Sequence, residues 1–164
     1  QYTGAKFATT VSSCTAGLHL SCLAAGFSNN DEVIVPVQTH VATVHTVEIF
    51  GAKPIFIDAD TNGNIDISKI EKKISNKTKA ILPVHLFGNP VDIRDIEREI
   101  NDESIKIIED CAQAQGAKFK KKFVGTFGLS GCFSFYPTKI LGAYGDGGFI
   151  TTNSLKMLNL KSAI

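Results

Sequence analysis

KAILPV (79–84), VDIRDIEREI (91–100) and IKIIED (105–110) follow one another along the chain, separated only by short turn-rich links. The first and third are short, nearly all-apolar runs, and the second is an amphipathic helical segment. A strand that is apolar throughout cannot turn one face to water, so helices must cover both sides of its sheet. Strand, helix and strand in this order make a parallel crossover, and these two strands belong to the middle of the sheet.

The same alternation continues in both directions. β-Rich runs are expected at Phe7–Val11, Glu32–Pro36, Pro54–Asp58, Lys79–Val84, Ile105–Asp110, Cys132–Tyr136 and Gly148–Thr152. Helical segments are expected at Ala16–Phe27, Val41–Phe50, Ile67–Ile74 and Val91–Ile100, with Gly26, Gly51 and Gly88 marking turns. The link between the sixth and seventh strands holds Gly142, Gly145, Gly147 and Gly148, too short and glycine-rich for a helical crossover, so the last strand should run antiparallel. The expected fold class is α/β: a three-layer α/β/α domain around a seven-stranded, mostly parallel sheet with one antiparallel strand. Residues 1–153 make the domain, and residues 154–164 read as the first turns of a helix leaving it.

Composition excludes several function classes. A content of 43% hydrophobic and 20% charged residues is that of an ordinary globular domain. A net charge of +1, with no basic stretch interleaved with aromatics, disfavours nucleic acid and anionic membranes as partners. No apolar run is long enough to span a bilayer. The chain begins at Gln1 without a leader and reads as an excised piece. Its four cysteines, Cys14, Cys22, Cys111 and Cys132, lack both the density of a disulfide scaffold and zinc-site spacing, which fits a reducing, cytoplasmic setting. A zinc set of Cys14, His19, Cys22 and His40 is rejected on spacing, and no metal is expected.

In an open parallel sheet, ligands bind beyond the carboxyl ends of the strands, where loops converge and helix amino termini present free N–H groups. That rule collects Ser12, Ser13, Cys14 and Thr15 after the first strand, Gln38, Thr39 and His40 after the second, His85 after the fourth, Asp110 at the end of the fifth, and Lys139 after the sixth. Asp110 reads either as a helix cap or as a ligand carboxylate in need of a cationic partner. Lys139 follows the apolar CFSFYP and precedes a glycine-rich turn; a lysine partly withdrawn from water there can supply the neutral amine that attacks an aldehyde. SSCTAGL (12–18) reads both as a helix cap and as an anion-binding helix start. His40 could lay its ring against a planar ligand or serve as a structural hydrogen-bonding residue, and the same two readings apply to His85. The loop after the first strand lacks the G-x-G-x-x-G turn of a dinucleotide-binding dehydrogenase.

Taken jointly, CFSFYPTKILGAYGDGG (132–148), PVHLFGNP (83–90), IEDCAQAQGA (108–117) and VGTFG (124–128) resemble the DegT/DnrJ/StrS family of nucleotide-sugar aminotransferases. SSCTAGLHL, DEVIVPVQTHVAT and GAKPIFIDAD keep the same order and spacing, so the resemblance covers nearly the whole chain. It implies the large domain of a fold type I pyridoxal-phosphate enzyme, incomplete at its N-terminus and lacking the C-terminal small domain. It further implies that Lys139 is the Schiff-base lysine and Asp110 the carboxylate on the pyridine nitrogen. Gln113 is implied near the ring hydroxyl, Ser134 on the phosphate, Cys14 and Thr15 at the phosphate, and His40 in the place of the stacking aromatic. Amino transfer from glutamate to a nucleotide-linked ketosugar by a homodimer is the implied activity. A subset of the family carries histidine in place of the lysine and dehydrates instead, and Lys139 speaks for transamination. The rival is a non-catalytic pyridoxal-phosphate- or phosphate-binding piece, inactive without the missing regions and partner.

Overall fold

The computed structural model describes residues 2–158. In chain order the elements are β1 (Phe7–Val11), α1 (Cys14–Ala24), β2 (Glu32–Pro36), α2 (Val41–Glu48), β3 (Lys53–Ile57), β4 (Thr78–Ile81), α3 (Ile93–Ile100), β5 (Lys106–Asp110), β6 (Lys118–Phe119), β7 (Lys122–Phe123), β8 (Ser130–Ser134), β9 (Gly148–Thr152) and α4 (Leu155–Leu158). Seven strands form one sheet in the order β1-β9-β8-β5-β4-β2-β3. β9 pairs antiparallel with both β1 and β8, while the remaining pairs are parallel. The mixed sheet and its single antiparallel strand are therefore as the glycine-rich link required.

The two faces of the sheet carry separate cores. On one, Leu18 and Cys22 of α1 and Val47 of α2 pack on Val33, Val35, Leu82 and Ile108. On the other, Ile93, Ile96 and Ile100 of α3 pack on Ile34, Ile81 and Ile107. Alternate residues of β2, β4 and β5 thus serve opposite cores, which is why the middle residues of these strands are apolar on both faces. Asp92 caps α3 by accepting from the Arg94 and Asp95 amides, and Asn101 ends it in a left-handed conformation (φ 44°).

Three local readings are corrected. The segment 67–74 is not an α-helix but two 3₁₀ turns, Ile67–Lys69 and Glu71–Lys73; Asp66 caps the first through Ser68, and a chain this short gains little from α-helical propagation. The β6–β7 hairpin was not anticipated. Its turn residues Lys120 and Lys121 both have positive φ (44° and 71°), a geometry that usually announces itself through Asn or Gly. The sixth strand of the sheet is Ser130–Ser134, two residues earlier than expected, because Phe135 and Tyr136 already belong to the loop carrying Lys139. The helix expected from residue 154 begins as α4, and its continuation over 159–164 lies outside the described residues.

A candidate cofactor cleft at the carboxyl edge

A cleft of about 420 Å³ opens at the carboxyl ends of β2, β4, β5 and β8, lined among others by Cys14, Thr15, His40, Asp110, Gln113, Ser134 and Lys139. Every residue singled out for cofactor contact therefore meets at one place. Ser13 and Thr39 line it too, whereas Ser12, Gln38 and His85 do not.

The floor is Asp110, last residue of β5 and 4% exposed. Its Oδ1 accepts from the Ala112 amide (3.0 Å) and its Oδ2 from the Thr43 hydroxyl (2.8 Å). The Cys14 thiol lies 3.8 Å from Oδ1 but has a nearer acceptor in the Cys132 carbonyl at 3.3 Å. Burial, and after it the charge of Asp110, pushes the Cys14 thiol well up, while Lys139 pulls the other way; the thiol is protonated at neutral pH. No lysine, arginine or histidine forms an ion pair with Asp110 among the described residues. A carboxylate so nearly buried with only neutral donors is costly unless a cation completes its shell, so the floor suits the positive nitrogen of a ligand.

The wall on the α1 side is a helix amino terminus. Ser13 caps it, its hydroxyl accepting from the Ala16 amide, and the amides of Cys14 and Thr15 have no protein acceptor among the described residues. Gly148 makes this approach possible: a Cβ there would lie 2.6 Å from the Phe133 carbonyl oxygen, 2.8 Å from Ser13 C and 2.9 Å from Cys14 N. Ser134 stands nearby, its oxygen accepting from the Tyr136 amide at 3.2 Å, which leaves its hydroxyl proton free to donate. Free amides and a hydroxyl around one helix start suit a phosphate.

The rim comes from loops. His40 caps α2, its Nδ1 accepting from the Ala42 amide at 3.1 Å, so the ring is held by one nitrogen with the other facing away from that bond. Gln113 accepts the Phe87 amide proton at 2.7 Å through Oε1, leaving its NH₂ group free to donate. Lys139 is half-buried, its amide donating to the Tyr136 carbonyl (2.9 Å) in a tight turn. Taken together, the residues fit a planar group bearing a phosphate at one end, a protonated nitrogen over Asp110 and an electrophilic carbon at Lys139.

His85 belongs elsewhere. Fully buried, it accepts the Val91 amide proton at Nδ1 (2.9 Å), so its Nε2–H donates to Glu109 (3.0 Å). Glu109 also accepts from the amides of Gly125, Phe127 and Gly128, each at 2.8 Å. Cys111 lies close enough to complete a metal-like trio with His85 and Glu109, but four donors already occupy the carboxylate and the Cys111 thiol is pushed well up by burial. Structural bracing of the VGTFG loop against β5 explains the trio. What sequence reasoning missed is Thr43, fully buried beneath the cleft against Asp110; its spacing of four from Thr39 across a helix start was the available signal.

Such a sheet, with a polar cleft at its carboxyl edge over a single antiparallel neighbour, is the large-domain architecture of the fold type I enzymes. The chain belongs to the DegT/DnrJ/EryC1/StrS aminotransferase family, whose family model matches residues 1–160. It is 48% identical over 149 residues to the GDP-perosamine synthase of Escherichia coli O157:H7, an alignment covering 90% of this chain and 41% of that one. Among solved structures it is similar to an aminotransferase from Psychrobacter cryohalolentis (TM-score 0.92, 37% identity, 95% of this chain and 40% of that one). It is also similar to a GDP-4-keto-6-deoxymannose-3-dehydratase with a trapped PLP-glutamate geminal diamine (TM-score 0.90, 33% identity, 96% and 42%). The chain thus spans about two fifths of the length of these relatives.

Proposed function

We propose that this chain is the cofactor-binding part of a pyridoxal-phosphate-dependent aminotransferase that moves an amino group, with glutamate as donor, onto a nucleotide-linked ketosugar for amino-sugar and surface-polysaccharide synthesis. The observation that carries this reading is the cleft itself, with a buried Asp110 that has no ion-pair partner among the described residues as its floor and Lys139 on its rim. A relative named as a perosamine synthase and a neighbour solved with PLP and glutamate support the same substrate classes. When bound, pyridoxal phosphate supplies an electron-accepting ring.

In this reading the residues divide the work. Asp110 holds a proton on the ring nitrogen through a charge-assisted hydrogen bond. The amides of Cys14 and Thr15, with the Ser134 hydroxyl, take the phosphate, and the NH₂ of Gln113 donates to the ring hydroxyl. His40 covers one face of the ring. Lys139 would be the amine that holds the cofactor and, when its amine is free, the base that moves the proton of the amino-bearing carbon. A cytoplasmic homodimer completes the proposal; residues 1–153 form its large domain, and the segment from 154 leads toward a small domain.

The test is an assay of the full-length gene product with glutamate and a panel of nucleotide-linked 3- and 4-ketosugars, reading 2-oxoglutarate. Production that depends on both the ketosugar and Lys139 supports the proposal. Repeated turnover without ketosugar, beyond the one equivalent of 2-oxoglutarate that glutamate alone releases per bound cofactor, or production undiminished in Lys139→Ala, contradicts it.

A further inference from the structure

Thr43 is fully buried in the first turn of α2, where a threonine hydroxyl ordinarily bonds back to the carbonyl four residues earlier. Thr46, one turn on, does this with the Ala42 carbonyl at 2.7 Å. Thr43 instead reaches across to β5 and meets Asp110 Oδ2 at 2.8 Å, while Thr39 stands 2.7 Å from its oxygen. An ionised carboxylate can only accept, so the single hydroxyl proton of Thr43 is committed to Asp110. The Thr43 oxygen must then accept from Thr39, and the direction of both bonds is fixed: Thr39 donates to Thr43, which donates to Asp110.

We infer that Thr39 and Thr43 form a one-way hydroxyl relay that positions Asp110 and keeps its proton on the bound ring nitrogen, which makes both threonines positioning residues for the cofactor. This inference rests on the reading of Asp110 given above. Hydrogen bonds donated to a carboxylate favour its charged form, and consecutive bonds in a chain strengthen one another. With the Ala112 amide on Oδ1 and the relay on Oδ2, each carboxylate oxygen has a donor on its protein side. Thr39 lines the cleft itself, so the relay runs from the cleft wall to its floor. Removing the relay leaves Oδ2 without its donor and Asp110 held through Oδ1.

The experiment uses the full-length gene product loaded with pyridoxal phosphate carrying ¹⁵N in the ring, comparing wild type with Thr43→Val, Thr43→Ser and Thr39→Val. The ring-nitrogen chemical shift and the cofactor dissociation constant are measured beside circular dichroism. Expected are a protonated nitrogen in wild type and Thr43→Ser, and in Thr43→Val a shift toward the unprotonated value with affinity weakened about tenfold, the size of one hydrogen bond to a charged group. Thr39→Val should move the same readouts in the same direction by less, and it decides the matter should Thr43→Val fail to fold. Wild-type shifts and affinity in folded Thr43→Val and Thr39→Val would overturn the relay while leaving the functional reading intact. An unprotonated nitrogen in the wild type would overturn both, since Asp110 then does not hold that proton.

Discussion

Glu109 has no solvent contact, and its two oxygens gather three backbone amides and one imidazole N–H. Removing it strands all four donors in the interior. Glu109→Ala is expected to destabilise the fold by about 3–5 kcal/mol, and Glu109→Gln by less, because one oxygen remains while an NH₂ faces amide donors. Urea unfolding measures both, and a loss under about 1 kcal/mol for the alanine variant contradicts the bracing role. The thiols make a second residue-scale prediction. Burial pushes Cys132 up to about 12, with Asp110 and Glu109 adding to the rise and Ser21 opposing it. Unfolded, the same thiol ionises near 9. Between these values the unfolded state has released a proton that the native state keeps, so stability should be full below about pH 9 and fall as pH rises toward 12. Cys132→Ala should flatten that decline, and an unchanged slope counts against it. At this scale the sequence made the cleft residues legible because strand ends locate them. It did not reveal their protein partners: Asp110 is held by the Thr43 hydroxyl and the Ala112 amide, His85 was grouped with the cleft and braces a loop, and Thr43 read as ordinary helix content.

α1 reaches the cleft only because it lies close against β8 and β9, and the contact is specific at Gly148. Gly148→Ala would force its Cβ against the Phe133 carbonyl and the backbone of Ser13 and Cys14. The helix start must then retreat, taking the free amides of Cys14 and Thr15 with it. We expect native-like circular dichroism with affinity for pyridoxal phosphate lowered at least tenfold, measured by absorbance titration. Equal affinity would mean that these amides do not hold the phosphate. Elements were legible where period and composition agree: β2, β4, β5 and α3 lie within a few residues of their expected bounds. The segment 67–74 failed because its apolar residues mimic a helix that local capping by Asp66 confines to 3₁₀ turns. The β6–β7 hairpin failed because its Lys120–Lys121 turn carries no Asn or Gly. Its lysines lean on rings instead, Lys118 at 4.3 Å from the Phe123 centroid and Lys122 at 4.3 Å from that of Phe127, with Lys120 3.7 Å from Asp92.

At the scale of the molecule, the loop that carries Lys139 exposes apolar side chains: Ile140 is 77% exposed, Leu141 59%, and Tyr144 wholly exposed. Surface of this kind beside a polar site suits a protein partner, and the proposed homodimer supplies one. Tyr144→Glu should shift the full-length gene product toward monomer in sedimentation velocity, and an unchanged sedimentation coefficient would place any interface elsewhere. The two larger core clusters and the single antiparallel strand follow from features readable along the chain, namely apolar runs in the central strands and a link too glycine-rich for a crossover. Which strands neighbour one another, and hence that one cleft joins α1, α2 and three loops, depends on contacts between distant residues that no local pattern encodes. The central claim is that Lys139 and Asp110 share a pyridoxal-phosphate site. Its most direct test is an absorbance titration of the purified full-length gene product with that cofactor, in wild type and Lys139→Ala. A band near roughly 410–430 nm is expected in wild type and absent from the variant, and borohydride fixes it covalently onto Lys139. A folded wild type with no lysine-specific band, or a band that persists in Lys139→Ala, would contradict that claim.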